Sequence, residues 1–125
     1  MKAKILLVDD SGLARRSVRH ILEPEGYEVV EAEDGMSALE RYFLEKPDLV
    51  LLDLVMRGMT GLDVLKKLQE MDARARVVVV SADIQHSSKE LAENGGASGF
   101  ITKPVDRGEI LKVVADVLGG TSSCS

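Results

Sequence analysis

Tryptophan is absent from the 125 residues, aromatic side chains make up only 3%, and Cys124 is the lone cysteine. Each shortage argues against a class of function. Single-stranded nucleic-acid modules stack bases on aromatic rings and draw the phosphate backbone with positive charge, whereas this chain has few rings and a formal net charge of -5. Direct nucleic-acid binding is not expected. One cysteine permits neither an intramolecular disulfide nor a cysteine metal cluster, and Cys124, in a polar stretch with no charged neighbour to activate it, takes no role. The expected setting is a reducing cytoplasm. Apolar runs such as Ile5 to Val8 are too short for a signal-peptide core or a membrane span, so no membrane segment is expected.

The rest of the composition is ordinary for a globular chain, with 45% hydrophobic and 30% charged residues and only 3 prolines. A single domain over residues 1–120, followed by a flexible tail at 121–125, is the expected organisation. Leu49 to Leu52 is apolar without alternation and stops at Asp53, the pattern of a strand buried on both faces that delivers one polar side chain to the end of a parallel sheet. Ile5 to Val8 repeats the pattern and stops at Asp9-Asp10; Val77 to Val80 repeats it and stops at Ser81. Glu28 to Ala32 is a partly alternating strand suited to a sheet edge, and Gly99 to Thr102 a short last strand leading to Lys103-Pro104.

Helical patterns separate these runs. The first opens at Ser11-Gly12 with Ala14, Val18, Ile21 and Leu22 on one face and closes at Pro24 and Gly26. The second turns Ala38, Leu39, Tyr42 and Phe43 inward and ends at Lys46-Pro47; the third turns in Leu62, Leu65, Leu68 and Met71. A weakly apolar helix is expected from Gln85 to Asn94, and a last one, capped by Asp106 with Glu109, turns in Ile110, Leu111, Val114, Val117 and Leu118. Strand followed by helix, five times, implies a parallel sheet with helices on both faces. Strand order stays open on periodicity alone.

In such a sheet the strand ends bring Asp9, Asp10, Asp53, Ser81 and Lys103 toward one edge, where ligands of open α/β sheets collect. Carboxylates gathered in one place repel, and Mg²⁺, which takes one or two carboxylates with waters and phosphate oxygens, relieves the repulsion. Lys103 adds a cation and Ser81 a hydroxyl donor for an oxyanion, a set suited to phosphoryl transfer onto a carboxylate. Taken singly, each signal is weak. An Asp-Asp pair is most often a helix cap, Ser81 a turn residue, Phe100 a core aromatic, and His20 and His86 surface residues.

The joint spacing of Asp9-Asp10, Asp53, Ser81, Phe100 and Lys103-Pro104 resembles that of the bacterial response-regulator receiver domains, close to the stand-alone chemotaxis type, over about Lys4 to Leu118. The resemblance implies a flavodoxin-like (βα)5 fold with strand order 2-1-3-4-5. It implies a signalling switch and not an enzyme: Asp53 accepts a phosphoryl group from a phosphohistidine and the domain assists both gain and loss of that group. Asp10, Asp53 and the backbone carbonyl of Val55 would hold Mg²⁺, with Asp9 acting through a metal-bound water. Lys103 would neutralise the phosphate ahead of a cis bond to Pro104, while Ser81 and Phe100 relay the change. The implied partners are a histidine kinase or histidine phosphotransfer protein and a downstream protein on the face formed by residues 82–118, with a monomer expected and dimerisation on activation the alternative.

Departures from the family pattern are few. Arg57 and Thr60 replace the proline and aspartate usual in the loop after the acceptor strand, and Val105 stands where a bulkier phenylalanine is common. Two other classes share parts of the pattern. A haloacid-dehalogenase phosphatase needs a second acid two residues after the nucleophile, where this chain has Val55, and an FMN binder needs a hydroxyl- and glycine-rich loop where it has Asp9-Asp10. Lys103 is expected to be held for charge, so that its removal favours folding slightly by relieving a desolvated ammonium.

Overall fold

Strands buried on both faces need their backbone groups paired on both sides, and the most apolar runs accordingly take the middle of the sheet. A computed structural model describes residues 3–54, 56, 58–82 and 95–119. Its elements run β1 (Lys4–Val8), α1 (Gly12–Leu22), a 3-10 turn (Glu23–Glu25), β2 (Glu28–Ala32), α2 (Gly35–Glu45), β3 (Leu49–Asp53), α3 (Gly61–Met71), β4 (Val77–Ser81), β5 (Gly99–Thr102) and α4 (Arg107–Gly119). The five strands form one sheet in the order β2-β1-β3-β4-β5, and all four pairings are parallel. Every residue of β3 and β4 is buried. The partly alternating β2 lies at one edge, as its pattern requires.

Period-2 alternation sends the strand side chains to two separate cores. Leu6, Val8, Val50, Leu52, Val77 and Val79 meet Ala38 and Tyr42 of α2 and Val64, Leu65 and Leu68 of α3. On the other face Ile5, Leu7, Leu49, Leu51, Val78 and Val80 meet Leu22 of α1 and Ile110 and Val114 of α4. Among the described residues, two helices cover each face. Each of the four helices starts on a side-chain cap: Ser11 Oγ accepts from Ala14 N–H at 3.1 Å, Asp34 from Ser37 at 2.8 Å, Thr60 from Asp63 at 3.2 Å and Asp106 from Glu109 at 2.9 Å. Thr60 thus supplies the capping oxygen of α3.

Two inward assignments are corrected. Phe43 is 70% exposed and Met71 46% exposed, because each sits at the margin of its helix's apolar stripe, just past the residue that reaches the sheet (Tyr42 and Leu68). The expected helix from Gln85 to Asn94 falls outside the described residues, as do Val55, Arg57, His86 and the tail at 121–125.

Candidate functional site

The side chain of Asp53 follows the parity of Leu49 and Leu51, so it leaves β3 on the face covered by α1 and α4; Asp9 continues the parity of Ile5 and Leu7, and Lys103 that of Ile101. Alternation alone therefore sends these three toward one another. Lys103 Nζ donates to Asp9 Oδ2 at 3.0 Å and to Asp53 Oδ2 at 3.1 Å. Oxygens of Asp9, Asp10 and Asp53 all lie within 4.8 Å of one another. Asp53 is 6% exposed, while Asp10 stands at the solvent edge.

Burial alone would lower the pKa of the Lys103 ammonium, but its hydrogen bonds to Asp9 and Asp53 and their charges outweigh that and hold it above the ordinary lysine value. The lysine therefore stays charged among carboxylates. Three acids around one ammonium leave negative charge uncompensated, and a hard, oxygen-seeking divalent cation fits that donor set. Lys103 reaches the cluster from a cis Lys103–Pro104 peptide, with its N–H donating to Ser81 O at 2.8 Å.

Ser81 and Phe100 occupy the other face. Ser81 follows the parity of Val77 and Val79 and is fully buried at the end of β4; Phe100 lies opposite Val79 and packs against the core under α2 and α3. These two residues share a side of the sheet with each other and share the strand ends with Asp53.

Three contributors escaped the sequence reading. Arg15, on α1, donates from Nη1 to the carbonyl of Asp9 at 2.6 Å and from Nε to Glu31 at 2.7 Å, so it pins the backbone that carries the acid pair. Glu31 is the second; its hydrogen bond to Arg15, reinforced by Arg19 against the effect of burial, holds its carboxyl below the usual range. Gly61 is the third. A Cβ there would lie 2.5 Å from the carbonyl oxygen of Asp53 and 2.5 Å from Leu54 Cα, so only glycine lets α3 start directly behind the buried aspartate. A glycine at the first turn of a helix following an acid-terminated strand was the available signal; the Arg15–Glu31 pair left none, since it spans two elements.

Oxygen donors around an ammonium at the carboxyl end of an open parallel sheet form a set that a divalent cation and an oxyanion both fit. The chain belongs to the response regulator receiver domain family, whose model matches residues 5–115. It is 40% identical to the chemotaxis protein CheY of Bacillus subtilis over 119 residues, which cover 94% of this chain and 99% of that protein. It is 38% identical to the sporulation initiation phosphotransferase F of the same organism, covering 94% of this chain and 95% of the relative. Among solved structures, the CheX–CheY–BeF3–Mg²⁺ complex from Borrelia burgdorferi matches with a TM-score of 0.87 at 33% identity, over 90% of this chain and 87% of that one. The chain is thus a CheY-like receiver domain of a two-component system, and phosphorylation-dependent switching with Mg²⁺ at an acidic pocket is the general behaviour of its family. No helix among the described residues is long and apolar enough to cross a membrane.

Proposed function

We propose that Asp53 is the phosphoryl acceptor and that its donor is the phosphohistidine of a histidine kinase or histidine phosphotransfer protein. The observation that carries this reading is a carboxylate 6% exposed, 3.1 Å from a lysine ammonium, with two further carboxylates beside it. A carboxylate oxygen of Asp53 attacks phosphorus, the phosphorus–nitrogen bond breaks, and its electron pair stays on that ring nitrogen; with the other ring nitrogen protonated, the imidazole leaves neutral. Lys103 turns its ammonium to the incoming phosphoryl oxygens. Asp10 and Asp53 would hold Mg²⁺, with Asp9 beside them and the Val55 carbonyl, outside the described residues, as the further ligand; a similar protein has been solved as a complex with beryllofluoride and Mg²⁺. When bound, Mg²⁺ supplies the positive charge that lets acidic oxygens and phosphoryl oxygens come together.

The domain signals by shape and not by turnover, assisting only its own phosphorylation and dephosphorylation. Phosphoryl oxygens draw the Ser81 hydroxyl, the Phe100 ring follows, and the face of residues 82–118 changes for a downstream protein. This is a population shift, driven only by the differential contacts of the phosphoryl group. Intact-mass measurement after acetyl phosphate and Mg²⁺ treatment tests the acceptor: one added phosphoryl group in the wild type and none in Asp53→Asn. An Asp53→Asn chain that still gains the group fully overturns the assignment.

A further inference from the structure

Between α1 and the start of α4 lies a cavity of about 310 Å³, at the lower end of the range for small-molecule sites. Its floor is Leu7, Leu51 and Val80 of the sheet, and its walls are Ala14, Val18 and Ile21 of α1 facing Val105 and Ile110. The void has a local cause. Ala14 and Ser17 of α1 and Pro104 and Val105 ahead of α4 all line it, so much of the boundary is built of short side chains that leave the space unfilled. At one end the wall is Asp9, Asp53 and Lys103.

We infer that this cavity is a binding site for a small neutral molecule of one ring or two fused rings, and that its occupancy is felt at Asp53. Charge selects the ligand class. Both cations on the wall are engaged: Lys103 by Asp9 and Asp53, and Arg15 by Glu31 and the Asp9 carbonyl. An anion entering would face two carboxylates with no uncommitted cation among the described lining residues, and a cation would have to shed its water against apolar walls. A neutral apolar ring pays neither penalty. An apolar cavity of about 150 Å³ already accepts benzene, so this larger one admits a bicyclic ring but not a folded peptide segment. Binding is independent of the phosphoacceptor reading, since it uses the apolar walls; the coupling follows from Asp53 belonging to the same lining.

Indole, with tryptamine as its cationic and indole-3-acetate as its anionic counterpart, tests the site on the full chain by methyl and carboxyl NMR. Saturable shifts are expected at the methyls of Val18, Ile21, Val80 and Ile110 with indole, with a dissociation constant of about a millimolar or below. Binding of either charged analogue should be weaker by about tenfold or more. Val105→Phe should fill the void and abolish the indole shifts, with Ala14→Leu as the second variant should the first lose its dispersed spectrum. The Asp53 carboxyl carbon should move with the same saturation curve. Absent saturation at these methyls, undiminished binding in a folded filling variant, or preference for a charged analogue overturns the site; methyl shifts with a still Asp53 overturn the coupling. Neither result bears on whether Asp53 accepts a phosphoryl group, which the mass measurement reads separately.

Discussion

The two ends of the same sheet handle charge in opposite ways. At the amino end, Lys4 Nζ meets Glu45 at 3.0 Å and Glu28 at 3.9 Å, the Lys4 N–H donates to Asp48 at 2.7 Å, and Tyr42 donates to Asp72 at 2.9 Å. Lys4, Glu28, Glu45, Asp48 and Asp72 are thus each partnered. The hydrogen bond to Glu45 holds the Lys4 ammonium above its ordinary value, and burial with the Asp72 contact pushes the Tyr42 phenol up to about 12. At the carboxyl end, three acids gather, two of them paired with one ammonium, and one of that pair, Asp53, is buried. Ion pairs at the amino end are made within the chain; at the carboxyl end the described residues gather three carboxylates beside one ammonium, a donor set that suits a further cation.

The largest way to break this contrast is Gly61→Ala. A Cβ driven into the Asp53 carbonyl must displace either the start of α3 or the acceptor itself, an overpacking cost of about 3 kcal/mol or more, checked by urea denaturation. Phosphoryl uptake should fall as well, because the shift lands on Asp53, the proposed acceptor.

Lys103→Met sharpens the contrast, and here the structure reverses the sequence-based expectation that removal favours folding. A raised folded pKa means that the ammonium is more favourable in the folded chain than in the unfolded one, and without it Asp9 and Asp53 both lose the ammonium they share. A loss of about 1–2 kcal/mol in a metal-free urea titration is expected. The lysine's contribution is full below its ordinary pKa and is lost as pH rises through the raised folded value, so the two chains should converge at strongly alkaline pH. Saturating Mg²⁺ should also narrow the gap, since the cation replaces the missing charge.

The smallest effect is expected at the opposite end. Lys4→Met removes pairs that are exposed to water, so the thermal midpoint and phosphoryl uptake should both stay within measurement error.

Much of this architecture is readable in the residues because buried parallel strands leave an unmistakable trace. Leu49 to Asp53 and Val77 to Ser81 are apolar to their last residue, and the polar residue that ends each of them marks the carboxyl edge. Asp9, Asp53 and Lys103 could be grouped for that reason before any distance was known. What stayed hidden depends on packing between elements. Phe43 and Met71 fit an apolar stripe on paper, yet each lies at its margin and stays exposed beyond the residue that reaches the sheet. Arg15 and Glu31 read as surface charges until α1 is laid beside β2, and the tightness behind Asp53 is visible only once α3 is placed. The cavity beside Val105 has no signature in periodicity at all, since a void is a property of facing side chains.

The central claim is that the carboxyl end is incomplete without a cation and the amino end is not. Titrating Mg²⁺ into the ¹⁵N-labelled chain tests it directly. The account predicts a single saturable event with amide shifts centred on Asp9, Asp10, Asp53 and Lys103, weakened about tenfold or more in Asp10→Ala through loss of a carboxylate ligand. Lys4, Glu45 and Asp72 should not move. Equal shifts at both ends, or binding unchanged by Asp10→Ala, would contradict it.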